Sequence, residues 1–411
     1  MCALVALSFQ QRLASLSPSS ARYAVDVIDA LLGEARALNA SDVHLLPTPE
    51  GMESWWRIDG VLQRSGVIPA TVAPNVIARL KVLAELTPYR TDIPQEGRIK
   101  HSSNFTEMRV STIPTVLGEK AVVRLFNGVE RYIRLSDLGF PDDVQETLRV
   151  LLAETSGAIL VTGPAGSGKS TTIYTLLREI LSMTGGGRSV TTLEDPVEVI
   201  IPGAAQSQVN QIVGFDLASG LRSLLRQDPQ VIAVGEIRDR ETAEIAFQAS
   251  LTGHLVISTI HAASSAGVLS RLLDMGIEPG ALRSGLRAIV SQRLVRRLCT
   301  SCCKATEDPK LLLGLPIERA NVAVGCSECQ GTGYRGRMVL AELLTPESNM
   351  VASAIVARAS LEEIEKAAVD AGMVTRWDRA LEVVQSGSTD PSEIRRAYGF
   401  RDNWEKQAKA R

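Results

Sequence analysis

The sequence predicts an α/β protein built in more than one domain, and three observations lead there. At 411 residues the chain exceeds what one hydrophobic core organises, so two or three domains follow from size. Near its middle, AILVTGPAGSGKSTTIYTLLREIL reads as a buried strand, a glycine-rich loop and a helix in immediate succession. After it, further short apolar or β-branched runs end abruptly in charge, the pattern of buried strands in an α/β sheet.

Composition sets the outer limits. The 44 basic and 46 acidic side chains leave no global field to attract nucleic acid or an anionic membrane, so no nucleic-acid partner is expected. No run approaches the ~18 to 20 apolar residues of a membrane span. The start, MCALVALSFQQRLASL, lacks the positive n-region and long apolar h-region of a signal peptide. The expectation is a cytosolic chain whose six cysteines stay reduced.

Residues 1–21 read as an N-terminal extension. Over 22–126 the pattern gives a helix at 22–38, strands near Val43 and at 55–58, a helix near 74–86 and β-rich sequence to Phe126, which together make a smaller α+β domain. Residues 127–141 read as a linker into a core at 142–298.

In that core, 158–162 suits a buried parallel strand, 163–170 fits G-x-x-x-x-G-K-[ST], and helical spacing starts at Thr171. Gly163, Gly166 and Gly168, with Ser167 among them, let backbone amides converge on phosphates, and the helix N-terminus adds its positive dipole end. Lys169 is placed to reach the β and γ phosphates and the Ser170 hydroxyl to take a Mg2+ position, so ATP and Mg2+ are the expected cofactors. A chance glycine-rich turn would not reproduce the full motif in this strand-to-helix context.

Carboxylates at strand ends come next. In SVTTLEDPVE a strand at 190–193 delivers Glu194, Asp195 and Glu198 around Pro196. In PQVIAVGEIRD a strand at 231–234 ends in Gly235-Glu236, where a phosphate-loop enzyme holds a water-activating carboxylate. Glu236 is expected to act on water, and Glu194 and Glu198 to hold Mg2+ through its waters; solvated strand-end turns are the competing reading. GHLVISTIH reads as a third strand bracketed by His254 and His261. His261 is either a γ-phosphate sensor or a satisfied hydrogen-bonding residue.

The cysteines form two C-x-x-C pairs, Cys299/Cys302 and Cys326/Cys329, separated by 23 residues, the knuckle spacing of a tetrahedral Zn2+ site. A redox role would want one C-x-x-C opening a helix after a strand, whereas these sit in turn-rich sequence. The run GCSECQGTGYRGR resembles the repeat of zinc co-chaperones, but those need several repeats and this chain has one. Cys2 and Cys303 read as spare thiols.

Taken in order, GPAGSGKS, TLEDPVE, LRSLLRQDPQVIAVGEIRD and LTGHLVISTIH resemble the Walker A, Asp box, Walker B and His box of the secretion ATPase superfamily that drives type II secretion and type IV pilus assembly. SDVHLLP, WWRIDGVL, IPQEGRI, MRVSTIPTVLGEKAVVRLF, QRLVRRLC and GMVTR also look like family segments, so the resemblance covers nearly the whole chain. It implies a P-loop RecA-like ATPase domain preceded by the α+β domain, with a zinc-binding insertion at 299–336 and a C-terminal strand and helical region at 337–411, the helices spanning about 349–398. It further implies that Arg98 and Arg109, and with less support Arg124, contact nucleotide from the first domain, a role suited to guanidinium. A homo-oligomeric ring, expected as a hexamer, would work at the cytoplasmic face of the inner membrane through a platform protein. The four cysteines resemble the assembly branch; a retraction or DNA-uptake motor, or a zinc-containing interaction module, is the alternative. The sequence departs from the family where AASSA follows His261, in the short hairpin IKHSSNFTEM after Arg98, and in carrying only the 1–21 extension where assembly motors carry a docking domain.

Overall fold

The computed structural model describes residues 9–99, 108–125 and 132–400; Cys2, Phe126, hairpin residues 100–107 and linker residues 127–131 lie outside them. Two compact units divide the chain, Met1–Glu130 and Arg131–Arg411.

The first unit contains α1 (Phe9–Ser15), α2 (Tyr23–Ala37), β1 (Asp42–Thr48), β2 (Gly51–Ile58), β3 (Val61–Pro69), α3 (Ala73–Leu83), β4 (Gln95–Ile99), β5 (Met108–Thr115) and β6 (Gly118–Leu125). Its strands form an antiparallel sheet ordered β3-β2-β1-β6-β5-β4. Alternation puts Val43 and Leu45 of β1, Val110 of β5 and Val123 of β6 on one buried face, against Val27, Ile28 and Leu31 of α2 and Val76 and Leu80 of α3. Helix α1 falls within the residues read as an extension. Its Phe9 and Leu13 join this core, with the Phe9 ring 5.8 Å from that of Trp56.

The second unit runs α4 (Asp142–Ala153), β7 (Gly157–Thr162), α5 (Lys169–Met183), β8 (Val190–Glu194), β9 (Ala204–Gln208), α6 (Leu217–Leu224), β10 (Val231–Val234), α7 (Arg240–Leu251), β11 (Leu255–Thr259), α8 (Ser265–Asp274), α9 (Pro279–Gly285) and β12 (Leu286–Leu298). An insertion of β13 (Lys304–Thr306), α10 (Pro309–Leu312) and β14 (Ala320–Val322) precedes β15 (Tyr334–Leu344). The tail is α11 (Asn349–Val356), α12 (Leu361–Asp370), α13 (Arg376–Gln385) and α14 (Pro391–Tyr398). The sheet order is β15-β12-β7-β11-β10-β8-β9, parallel except for β15. Strands β7, β8, β10 and β11 are buried at every position, as a sheet covered on both faces requires, and the fold is the expected α/β one. This order sets the carboxyl ends of β7, β11, β10 and β8 side by side, where open α/β sheets bind ligands.

Candidate nucleotide and metal sites

The loop after β7 turns on glycines at positive φ: Gly163 at 145°, Gly166 at 75° and Gly168 at 90°. At Gly163 a Cβ would stand 2.2 Å from the Gln292 carbonyl oxygen, so no larger residue fits without moving β12. Gln292 braces the loop from that strand, its amide donating to Ser167 O at 2.7 Å and its oxygen accepting from Thr172 Oγ1 at 2.8 Å. Helix α5 begins at Lys169 with Gly168 as its cap and no side-chain capping bond, and Ser170 and Thr171 complete its first turn. Inside the loop the Ser167 hydroxyl is buried and has no hydrogen-bond partner. An uncapped helix start beside an orphaned donor fits a phosphate group. The Lys169 ammonium folds over the loop, donating to the carbonyls of Gly163 (2.8 Å) and Pro164 (3.1 Å). Burial lowers its pKa, while the charge of Glu236 works the other way.

The structure separates the two carboxylates of the β8 end. Glu198 faces the loop, its Oε1 accepting from Ser170 Oγ at 3.2 Å, a pair that suits a hydrated Mg2+. Glu194 is enclosed: Oε2 accepts from the Tyr174 hydroxyl, and Oε1 accepts from Thr192 Oγ1 and from the Gln206 amide. Burial first, and the Glu194 charge second, push the Tyr174 phenol up, so it stays a donor. The same hydroxyl accepts the Glu198 backbone N–H at 3.1 Å. Glu194 therefore shapes the loop that presents Glu198. Tyr174 and Gln206 were invisible as partners in the sequence because they lie outside any motif, on α5 beyond its first turn and on β9.

Glu236 follows β10, its side chain 17% exposed. Its Oε1 lies 3.1 Å from His261 Nε2 and its Oε2 accepts from Arg238 Nε at 2.8 Å. The ends of β10 and β11 are tied by Thr259 Oγ1 to Gly235 O (2.7 Å) and Ile237 N to Thr259 O (2.8 Å), which fixes Glu236 opposite His261. Bonding to Glu236 requires the proton on Nε2. His254 stands at the other end of β11, where its ring pairs with the Ala249 carbonyl, the ordinary satisfied histidine.

In the first unit Arg98 and Arg109 are cross-strand partners on β4 and β5, and Arg109 pairs with Glu96. Arg124 bonds Asp42 at 3.0 Å.

The four cysteines converge at the base of the insertion, every sulfur within 4.8 Å of the others. The pairs Cys299–Cys326 and Cys302–Cys329 are each 3.8 Å apart and Cys326–Cys329 3.7 Å. A tetrahedral Zn–S length of about 2.3 Å places sulfurs about 3.8 Å apart, so the donor set fits zinc. Burial opposes ionisation of Cys329, yet N–H groups of Cys326 (3.1 Å) and Gly333 (3.2 Å) help hold its thiol down to about 6; burial pushes Cys302 up to about 12. Cys303 stands outside the cluster.

Comparison with known proteins places this geometry in context. The profile of the family described as "Type II/IV secretion system protein" matches residues 19–396. The chain is 40% identical over 391 residues to the "Putative type II secretion system protein E" of Escherichia coli (strain K12), covering 90% of this chain and 79% of that protein. It is 41% identical over 383 residues to the "Type II secretion system protein E" of Pseudomonas aeruginosa (90% and 75%), and 39% over 377 residues to the "Type IV pilus assembly ATPase PilB" of Thermus thermophilus (89% and 42%). Among solved structures, the Legionella pneumophila ATPase DotB shares the fold at a TM-score of 0.64 and 22% identity (90% of this chain, 94% of that one). The pilus retraction motor PilT, solved with bound ADP, matches at 0.53 and 25% (90% and 99%).

Proposed function

Because the chain belongs to the type II/IV secretion system protein family, we propose that it is an ATP-hydrolysing motor that powers type II secretion or type IV pilus assembly. The observation that carries this reading is the convergence of four strand ends: the phosphate loop after β7, His261 after β11, Glu236 after β10 and Glu198 after β8.

On this reading Lys169 is the cation the loop supplies to the β and γ phosphates, and the loop amides and α5 N-terminus take the remaining charge. Ser170 and Glu198 would hold Mg2+, which neutralises phosphate charge when bound. Glu236, fixed by two donors, orients the attacking water and accepts its proton; His261 links that carboxylate to the end of β11. Glu194 acts at one remove, through Tyr174. Arg98 and Arg109 are further proposed phosphate contacts, supported by the likeness of their segments to family ones. Cys299, Cys302, Cys326 and Cys329 would hold zinc as a structural clip.

The motor is proposed to work as a hexamer, cytoplasmic and peripheral to the inner membrane, through a membrane platform protein. No helix among the described residues is long and apolar enough to cross a membrane. Retraction is the second reading, favoured by the likeness to PilT; a cysteine set that fits zinc speaks for assembly.

The test is Glu236→Gln beside Lys169→Ala. The first should bind ATP normally and lose at least ~100-fold in turnover, as removal of a positioned base does; the second should lose nucleotide binding. Near wild-type hydrolysis by Glu236→Gln would overturn the assignment.

A further inference from the structure

A cavity of about 460 Å³ opens beside the phosphate loop, and neither Ser170 nor Glu198 is among its lining residues. Its lining brings Gly163, Pro164 and His261 together with Arg293, Arg376 and Tyr398. Arg293 and Arg376 make this lining cationic. Among the described residues no carboxylate lies within ion-pair distance of Arg293 or Arg376. The Arg293 guanidinium rests over the Tyr398 ring, 4.9 Å from its centroid. Burial first lowers its pKa, Tyr398 works the other way, and the charges of Arg376 and Arg396 add to the lowering. Arg396 is itself neutralised by Glu393. Arg376 gives one nitrogen to the Ala263 carbonyl, but its Nε–H is buried with no acceptor. Glu342, beneath, turns its oxygens to the backbone N–H groups of Ser265 (2.8 Å) and Arg376 (3.1 Å). Two guanidinium forks held at a partly enclosed cavity without a carboxylate partner suit an oxyanion, because a desolvated cation gains most from a charged acceptor.

The position says which oxyanion. The cavity shares Gly163 and Pro164 with the phosphate loop and His261 with Glu236, so it adjoins the place where the γ-phosphoryl group is severed. We propose that this cavity holds the inorganic phosphate released by hydrolysis, with Arg293 and Arg376 as its ligands. This rests on the ATPase reading above. Two of these residues belong to the tail: Arg376 is the first residue of α13 and Tyr398 the last of α14. Departure of the phosphate thereby changes the charge against which those two helices pack.

The experiment titrates inorganic phosphate into the ADP complex of the full chain by calorimetry, for wild type, Arg293→Ala, Arg376→Ala and Arg376→Lys. The wild type should bind phosphate. Each alanine variant should bind it at least ~10-fold more weakly, the loss expected for one charge-assisted hydrogen bond, with ADP affinity unchanged. Arg376→Lys, which keeps charge but loses the fork, should fall between. Unchanged phosphate affinity in both alanine variants overturns the proposal. So does loss of affinity for a non-hydrolysable ATP analogue with phosphate binding intact, which would make the anion the γ-phosphate of bound nucleotide. Failure of the wild type to bind ADP would instead bring down the nucleotide reading itself. Should an alanine variant lose ADP binding through misfolding, Arg293→Gln and Arg376→Gln, checked for wild-type thermal unfolding, carry the same comparison.

Discussion

Glu194 and Glu198 stand four residues apart in TLEDPVE, and the fold gives them different work. Glu198 meets Ser170 across the helix start, so Glu198→Gln should raise the Mg2+ requirement of turnover and recover activity at high Mg2+, read from rates across a Mg2+ titration. Glu194 is held by Tyr174, Thr192 and Gln206 in a buried box. Tyr174→Phe removes one donor from a buried carboxylate, which costs about 1–3 kcal/mol and should appear as a lowered thermal midpoint. An unchanged midpoint would mean that the box is not structural. Placement contained in one short segment was legible in the sequence: the loop after β7, Glu236 at the end of β10, and His261 at the end of β11. Chemistry assembled from separate segments was not, because nothing in YTLLRE or AAQSQ marks Tyr174 or Gln206 as partners of a glutamate on another strand.

Among the elements, apolar or β-branched runs were readable and polar ones were not. Strands β7, β10 and β11 announce themselves by burial on both faces, whereas β9 is small and polar and becomes a strand only because β8 offers it an edge. Helix α1 has only seven residues, too short to fold by propensity, and forms against Trp56 and the sheet. The insertion depends on two staples. One is the sulfur cluster: Cys299→Ser or Cys326→Ser should cost one equivalent of zinc by elemental analysis and loosen the insertion to proteolysis. The other is Glu393 on α14, fully buried between Arg296 and Arg396. Burial alone would raise its pKa, but the hydrogen bonds from Arg396 and Arg296 win and lower it. A lowered native pKa contributes stability that is present above the ordinary glutamate value, about 4.3, and is lost as pH falls through the native one. Denaturation midpoints of wild type should therefore drop below about pH 4, and Glu393→Gln should be less stable at neutral pH with a flatter acid limb.

At the scale of the whole molecule, each unit has its own core, and the motor reading needs several copies. Native mass spectrometry of Glu236→Gln with ATP and Mg2+ should show six chains of 44.2 kDa; a monomer under those conditions would overturn the ring. Within the second unit, β12 joins two sites that the sequence places far apart. Its first half lies against β7, Gln292 grips Ser167 of the phosphate loop, and the strand runs on through its pairing with β15 to Cys299 of the sulfur cluster. Seven residues of strand span about 23 Å, so on the motor reading β12 would act as a lever arm with its fulcrum at the phosphate loop, and a tilt of roughly 10° there would sweep the cysteine cluster through about 4 Å. With zinc bound, the cysteine cluster would be the stiffened tip of a pointer, and on the motor reading a small rearrangement at the phosphates would become travel that a neighbouring protein can feel.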